Sequence, residues 1–244
     1  MRELCSTGKS GSFFYFSYDS KYLLKTIPEH EFLLFESMLK DYYNHMYNNK
    51  DTLLQRYYGL HIMIYNDLKL YFVVMNNVFN TKVKIQYKYD LKGSKYQRLS
   101  RDPSKNNYDD FDYSIPMKDL DFIDRKEKLN LNKSDADTIY QQAQLDGHFL
   151  ASKNINDYSF LIGIHEISRL LYNKGGKNKE KNGSHHFPEI LNFCIKDELY
   201  VGGEKNEIDE ARKPFFESCK GGLLSKDSNF IYFFGIIDIF TNYG

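Results

Sequence analysis

The sequence predicts an α+β fold with a strand-rich first part and a mixed second part. Two runs of strand type, residues 12–16 and 21–27, are joined by a short polar turn, which is typical of a hairpin. After Pro28, apolar residues recur at helical spacing and acids crowd the first turn. The order strand, strand, helix and then further strands predicts an antiparallel sheet with one crossing helix.

Further strands are predicted after this helix. Apolar runs at residues 53–65 and 68–78 flank an Asn-Asp turn and predict a second hairpin. The segment "VKIQYKYDLKGS" (residues 83–94) alternates like a strand and ends in Gly-Ser, and the polar residues 100–116 predict a loop.

The second part mixes helix, loop and strand. Ser134 and Asp137 resemble the start of a capping box and predict a helix through Leu150. "FIYFFGIIDIF" (residues 230–240) has the pattern of a buried strand interrupted by one acid. Residues 174–184 lack apolar side chains and predict a mobile insertion.

Composition narrows the classes of function. The formal net charge is +0, so no overall field attracts nucleic acid or a membrane, and any basic surface must be local. Three widely spaced cysteines fit neither a disulfide framework nor a zinc site. Because no apolar run reaches about 20 residues and no signal peptide is evident, we expect a soluble intracellular protein.

The Gly-Lys-Ser triplet at residues 8–10 raises the question of a phosphate-binding P-loop. That motif requires a glycine five positions earlier, where this chain has Glu3, and a helix directly afterwards. A strand-type run follows instead, so the P-loop interpretation fails. Gly8 and Gly11 still predict a turn whose backbone can approach a phosphate, because glycine has no Cβ.

Lys25 lies in the strand after this glycine turn. In kinases a glycine-rich loop covers the ATP phosphates and a strand lysine contacts them. The spacing from Gly8 and Gly11 to Lys25 suits a hairpin that folds back in this way. The alternative is an ordinary solvated strand lysine.

Two acids lie between apolar segments, where an unpaired charge is costly to bury. Asp157 is interpreted either as a catalytic acid or as a cap for the segment that follows. Asp238 lies within the last apolar run, which predicts a metal ligand or a buried partner of Lys25, and we favour the metal. A lysine and two such acids are the minimal set for Mg²⁺-dependent phosphoryl transfer.

The chain nevertheless lacks the His-Arg-Asp, Asp-Phe-Gly and Ala-Pro-Glu motifs of protein kinases, and Ile162 occupies the position of the catalytic-loop asparagine. It is therefore not an ordinary protein kinase.

A run of basic residues follows the second predicted hairpin, with Asp90 as its only acid. It predicts a site for an anionic membrane surface or a phosphorylated headgroup. RNA is the competing interpretation, with Tyr87, Tyr89 and Tyr96 as stacking platforms, and a solvated edge strand is the simplest one. The run consists of Lys82, Lys84, Lys88, Lys92, Lys95, Arg98 and Arg101.

Five motifs occur in an order that resembles the phosphatidylinositol phosphate kinases. They are "GKSGSFFYFSYDSKYLLKT", "YDLKGS", "KDLDF", "NDYSFLIGIH" and "GIIDIF". The resemblance covers about residues 7–166 and 229–243. It implies a two-lobed kinase-like fold, with an N-lobe at residues 1–101 and a partial C-lobe at 102–244, and transfer of the ATP γ-phosphate to the inositol ring of a monophosphorylated lipid.

The resemblance also implies roles for individual residues. Asp157 becomes the catalytic-loop acid, Lys25 the lysine that contacts the ATP phosphates, and Asp238 the ligand of Mg²⁺. Glu31 is the candidate partner of Lys25 by position. The remaining assignments are Gly8, Ser10, Gly11 and Ser12 in the loop over ATP, Met75 and Asn76 beside adenine, and Lys92, Lys95 and Arg98 near the substrate phosphates.

The family further implies a protein peripheral to the cytosolic face of the plasma membrane, with a phosphoinositide substrate, no nucleic-acid partner and a possible homodimer. "KDLDF" and "VVMNN" are most similar to enzymes that act on phosphatidylinositol 4-phosphate. The chain resembles a family member truncated at both ends. Two alternatives therefore stay open, a catalytically weak phosphoinositide- or nucleotide-binding fragment and an inositol polyphosphate kinase.

Overall fold

The structure is a computed structural model that describes residues 12–81, 83–104, 108, 111–167 and 222–241, together with the backbone of residues 2–5. Its fold is α+β, as predicted. The strands are β1 (Arg2–Cys5), β2 (Phe13–Phe16), β3 (Tyr22–Ile27), β4 (Tyr57–Tyr65), β5 (Leu68–Asn76), β6 (Tyr87–Leu91), β7 (Ser159–Glu166), β8 (Leu223–Leu224) and β9 (Phe230–Ile237). The helices are α1 (Glu29–Asn48), α2 (Asp119–Asp124) and α3 (Lys133–Ser152).

The first sheet has five antiparallel strands in the order β1-β2-β3-β5-β4. Both predicted hairpins belong to it. The turn between β4 and β5 has Asn66 and Asp67 in the left-handed region, with φ of 47° and 60°, and such turns match the twist of the paired strands. The predicted strand at residues 53–65 begins only at Tyr57. Strand β1 was not predicted.

Helix α1 covers this sheet with an aromatic face. Its buried residues Phe32, Phe35, Met38 and Tyr42 recur at intervals of three and four, which places them on one side of the helix. Phe32 contacts Tyr71 of β5, with ring centroids 5.0 Å apart. Glu29 and Glu31 lie in the first turn, where negative charge interacts favourably with the helix dipole.

Asp146 joins three segments of the chain from inside α3. Its side chain is fully buried and accepts hydrogen bonds from the Thr52 hydroxyl at 2.7 Å and the Leu53 amide at 2.7 Å. His45 of α1 contacts the same carboxylate through Nε2 at 2.6 Å, and Gln142 donates to it at 3.0 Å. Because each oxygen has polar partners, the buried carboxylate fixes the end of α1 and the following segment to α3.

The second sheet has four strands in the order β6-β7-β9-β8. The short helix α2 and strand β8 were not predicted, whereas α3 begins at Lys133, one residue before the predicted Ser134. The predicted loop at residues 100–116 contains neither helix nor strand where it is described. The predicted insertion at residues 174–184 lies outside the described residues.

Contacts divide the chain into two compact units. The first unit comprises Met1–Asn80, Tyr140–Leu161 and Phe234–Gly244. The second comprises Thr81–Ile139 and Ile162–Phe233. Among the described helices, none combines the length and the apolar character that crossing a bilayer requires.

The buried tyrosines of the first unit make its stability sensitive to alkaline pH. Burial raises the pKa of Tyr42 and that of Tyr57 above the ordinary value of 10.0. The unfolded chain therefore loses these protons at a lower pH than the folded chain does. We expect the free energy of unfolding to fall as the pH rises above 10.0, measured by urea unfolding across that range.

Tyr42→Phe removes one of these groups and should make the decline less steep. Tyr18→Phe is the matched control, because Tyr18 is fully exposed. Equal pH dependence in Tyr42→Phe and the unsubstituted chain would contradict the assignment.

Candidate active site

Lys25 lies in the middle of the first sheet. Its β3 position pairs with Phe14 of β2 and Val73 of β5, and the residue is only 6% exposed. The alternative of a solvated strand lysine is therefore wrong. The Lys25 Nζ lies 2.6 Å from Oδ1 of Asp238, and this ion pair supplies the counter-charge that a buried ammonium requires.

Asp238 directly follows the last residue of β9. The sequence pattern put this acid inside a strand, but the strand ends at Ile237. Asp238 has a φ of 60°, in the left-handed region that aspartate adopts more readily than most residues. Its side chain is 39% exposed, against 8% for Lys25. The turn thus aims a solvent-accessible carboxylate at a buried ammonium.

Neighbouring contacts hold the end of β9 in place. The Ile236 amide donates to the Leu53 carbonyl at 2.7 Å, and the Gln55 amide donates to the Ile236 carbonyl at 2.8 Å. Gly235 lies so close to Val78 that an added Cβ would be 2.6 Å from a valine methyl. These contacts fix the backbone immediately before Asp238.

Glu31 of α1 belongs to the same electrostatic cluster. Burial raises the pKa of this carboxyl above its ordinary value, the positive charge of Lys25 opposes that rise, and the negative charge of Asp238 adds to it. The structure therefore brings Glu31 within electrostatic range of both partners, while the ion pair itself joins Lys25 to Asp238. The predicted pairing of Glu31 with Lys25 stays a prediction.

Asp157 lies in the connection between α3 and β7. It is half-buried, and the buried Ile155 lies two residues before it. Asp157 belongs to the same compact unit as Lys25 and Asp238. Its role as the catalytic-loop acid stays a prediction.

The structure describes only some of the residues that are predicted to contact ATP. Gly8, Ser10 and Gly11 lie outside the described residues, and Ser12 is buried directly before β2.

At the end of β5, Met75 is buried, and Asn76 accepts a hydrogen bond from the Arg56 amide at 2.7 Å through Oδ1. The Asn76 carbonyl accepts another from Gln55 at 2.8 Å. Asn76 thus fixes the segment that the resemblance assigns to adenine.

One carboxylate of this cluster is suited to bind Mg²⁺. The described part of the chain holds no group of three or more His, Cys, Asp or Glu side chains arranged around a common metal position. Mg²⁺ does not require such a cage, because it is commonly held by one or two carboxylates together with substrate phosphates and water. Asp238 fits this requirement, and its metal-binding role stays a prediction.

The predicted basic run contains the loop of residues 92–101, here called the basic loop. Lys92 and Lys95 are exposed. Arg98 instead binds Asp119 through Nε at 2.7 Å and Asp90 through Nη2 at 2.8 Å. Burial opposes its charge, yet hydrogen bonds to these two carboxylates raise the pKa of Arg98 above its ordinary value. The contact of these three basic side chains with substrate stays a prediction.

The tyrosines of the basic run do not form a stacking platform. Tyr89 is fully buried, its ring packs against Phe122 at 5.1 Å, and its hydroxyl donates to Glu127 at 2.9 Å. Tyr87 packs against the edge of Tyr113. Only Tyr96 of the predicted three is largely exposed, so the arrangement does not favour the RNA interpretation.

The sequence of this chain matches the model of a known protein family. The model of the family described as phosphatidylinositol-4-phosphate 5-kinase matches residues 1–244. The chain belongs to this family. The motifs quoted above had indicated the same group of kinases.

Curated relatives agree with this assignment along the whole chain. A phosphatidylinositol 4-phosphate 5-kinase of Plasmodium falciparum is 35% identical over 251 residues, covering 100% of this chain and 13% of the relative. A probable phosphatidylinositol phosphate kinase of Dictyostelium discoideum is 34% identical over 100% of the chain and 37% of the relative. The human type-1 beta 5-kinase is 31% identical over 99% of the chain and 44% of the relative. The chain thus spans less than half the length of each.

The charge cluster predicts opposite shifts in the titration of Glu31. Asp238→Asn removes a negative neighbour and should lower the pKa of Glu31, whereas Lys25→Met removes a positive one and should raise it. Side-chain carboxyl resonances followed by NMR across acidic pH measure both shifts. Glu36→Gln, on the exposed side of the same helix, should change neither. An unchanged Glu31 titration in both site variants would contradict the cluster.

Proposed function

We propose that this chain is a lipid kinase core that transfers the γ-phosphate of ATP to phosphatidylinositol 4-phosphate, giving the 4,5-bisphosphate. The observation that carries the proposal is the ion pair of the buried Lys25 with Asp238, which lies in a chain matched along its whole length by the family model. A two-lobed kinase-like arrangement, with lobes at residues 1–101 and 102–244, is part of the proposal. So is action at the cytosolic face of the plasma membrane.

Lys25 and Asp238 have complementary roles toward ATP. The Lys25 ammonium, already removed from water, donates hydrogen bonds to the ATP phosphates and attracts their charge. Asp238 would hold Mg²⁺, and the ion supplies neutralisation and orientation of the phosphate oxygens. With all three groups ionised, Lys25, Asp238 and Glu31 sum to one negative charge, which favours a cation.

Asp157 and the basic loop act on the lipid. Asp157 aligns the ring hydroxyl and accepts its proton as the oxygen attacks the γ-phosphorus, and the bond from that phosphorus to the bridging oxygen of ADP breaks. Lys92 and Lys95, which are exposed, bind the phosphates of the headgroup. The catalytic contribution is mainly the positioning of charge and reactants, as phosphoryl transfer requires.

The test is transfer of radiolabel from ATP to mixed phosphoinositide vesicles. We expect the unsubstituted chain to label phosphatidylinositol 4-phosphate. Lys25→Met, Asp157→Asn and Asp238→Asn should each lower turnover by about 10²-fold or more. Lys21→Met and Asp137→Asn are matched controls, since both residues form exposed ion pairs with other partners, and they should retain activity.

Three results would overturn the proposal in different ways. Vesicle binding through Lys92 and Lys95 without turnover would make the chain a phosphoinositide-binding module. Transfer to soluble inositol phosphates but not to lipid would identify an inositol polyphosphate kinase. Full activity in Lys25→Met would remove the ion pair from the mechanism.

A further inference from the structure

We propose that two acids of helix α2, Asp119 and Asp121, hold both ends of the basic loop and thereby position Lys92 and Lys95 for the phosphorylated headgroup. The proposal rests on the function proposed above, and it makes these acids positioning residues of the lipid site. Both acids lie in the motif "KDLDF", whose resemblance to the kinase family implied no role for either of them. All the contacts involved lie in the second unit.

Asp119 holds the first end of the loop. Its Oδ1 accepts hydrogen bonds from the Lys92 amide at 3.1 Å and from the Gly93 amide at 2.8 Å. Gly93 has a φ of 68°, a conformation that glycine adopts without the cost of a Cβ clash. Successive amides in such a turn form a concavity that binds an anion, and here the carboxylate of Asp119 fills it.

Asp121 holds the second end. It is fully buried and accepts hydrogen bonds from the Ser100 amide at 2.8 Å and from the Tyr108 hydroxyl at 3.0 Å. The Lys118 amide donates to the same side chain at 2.9 Å. Between the two acids, the Leu120 amide donates to the Arg98 carbonyl at 2.9 Å. The first turn of α2 thus contacts the loop at its start, near its middle and at its end.

Arg98 braces the loop from within. Its guanidinium joins Asp119 to Asp90, and it also donates to the Asp90 carbonyl. The Arg98 side chain is only 13% exposed, and its charge is balanced by these two carboxylates. We therefore assign Arg98 to support of the loop rather than to headgroup binding. Lys92 and Lys95 are the exposed cations that the braced loop presents.

The physical consequence is preorganisation. A loose loop must lose conformational freedom when its lysines bind phosphate, which weakens binding. With both ends fixed to α2 by hydrogen bonds to buried carboxylates, that freedom is already lost on folding. The Lys92 amide is itself one of the anchored groups, so the backbone position of Lys92 is set directly by Asp119.

Substitution of Asp119 distinguishes a role in positioning the loop from a simple effect on the charge of the loop. Asp119→Ala makes the loop more positive, so a purely electrostatic account predicts tighter binding to anionic vesicles. The positioning account predicts binding to vesicles of phosphatidylcholine with phosphatidylinositol 4-phosphate that is weaker by about tenfold. Asp119→Asn keeps one acceptor oxygen but loses the ion pair with Arg98, and it should give an intermediate loss.

Asp124→Asn is the matched control. It lies on the same helix, removes the same charge and pairs with Arg101 at 2.9 Å, but it has no bond to the Lys92 or Gly93 amides among those described here. We expect its affinity to be unchanged or slightly higher. Vesicles in which phosphatidylserine replaces the phosphoinositide at equal charge should show no loss in Asp119→Ala, because they test general attraction alone.

The hydrogen bonds by which Asp119 and Asp121 hold the basic loop are here called the clamp. Hydrogen exchange tests the clamp independently of catalysis. In Asp119→Ala the amides of Lys92 and Gly93 should exchange faster, while those of β3 in the first unit keep their protection and show that the chain is folded. In the radiolabel assay, the KM for lipid should rise about tenfold, with kcat and the KM for ATP unchanged.

The possible failures are separable. Unchanged exchange at Lys92 and Gly93 would overturn the clamp whatever the enzymatic result. Faster exchange with unchanged or tighter binding to phosphoinositide vesicles would overturn the positioning role but leave phosphoryl transfer by Lys25, Asp157 and Asp238 standing. Weaker vesicle binding in a chain without kinase activity would support the clamp and overturn the proposed function.

Discussion

The ion pair between Lys25 and Asp238 is the constraint on which the proposed chemistry depends. An ammonium that is almost fully buried in a sheet is stable only beside an opposite charge. The chain supplies that charge from a residue 213 positions away. The acid lies in a left-handed conformation directly after β9, and backbone hydrogen bonds between residues 53–55 and Ile236 hold the end of that strand in place.

Buried carboxylates hold two other segments of the chain in place by accepting hydrogen bonds from their backbone amides. Asp146 binds the Leu53 amide and fixes the segment that in turn holds the end of β9. Asp119 and Asp121 bind amides of the basic loop. In each case the carboxylate is satisfied by several donors, which makes its burial tolerable. The end of β9 in the first unit and the basic loop in the second thus depend on the same kind of support.

The sequence predicted the features that are local. The hairpins and α1 follow from turn residues and from apolar periodicity within a few residues. Helix α2 was missed because its six residues are too few to show a helical period. Asp146 was missed because an acid within an amphipathic helix has the pattern of a surface residue, and its partners at Thr52 and Leu53 are distant in sequence.

For the site, residue chemistry identified the participants but not their partners. Lys25 was selected by its spacing from the glycine turn, and Asp238 because an acid within an apolar run needs an explanation. A metal was favoured over Lys25 as the partner of Asp238. The ion pair between the two depends on how the end of β9 approaches β3, which only the fold determines. Arg98 was grouped with Lys92 and Lys95 because all three are basic, but its partners are Asp119 of α2 and Asp90 of β6. The family assignment adds the reaction that this arrangement is proposed to perform.

The most direct measurement of the central claim is affinity labelling with an adenosine analogue that carries a lysine-reactive sulfonyl fluoride, followed by peptide mass spectrometry. If the ion pair marks the position of the ATP phosphates, Lys25 is the principal labelled residue, and Mg²⁺ with ATP protects it. Labelling of other lysines with Lys25 unmodified, under conditions in which ATP still competes, would contradict the account.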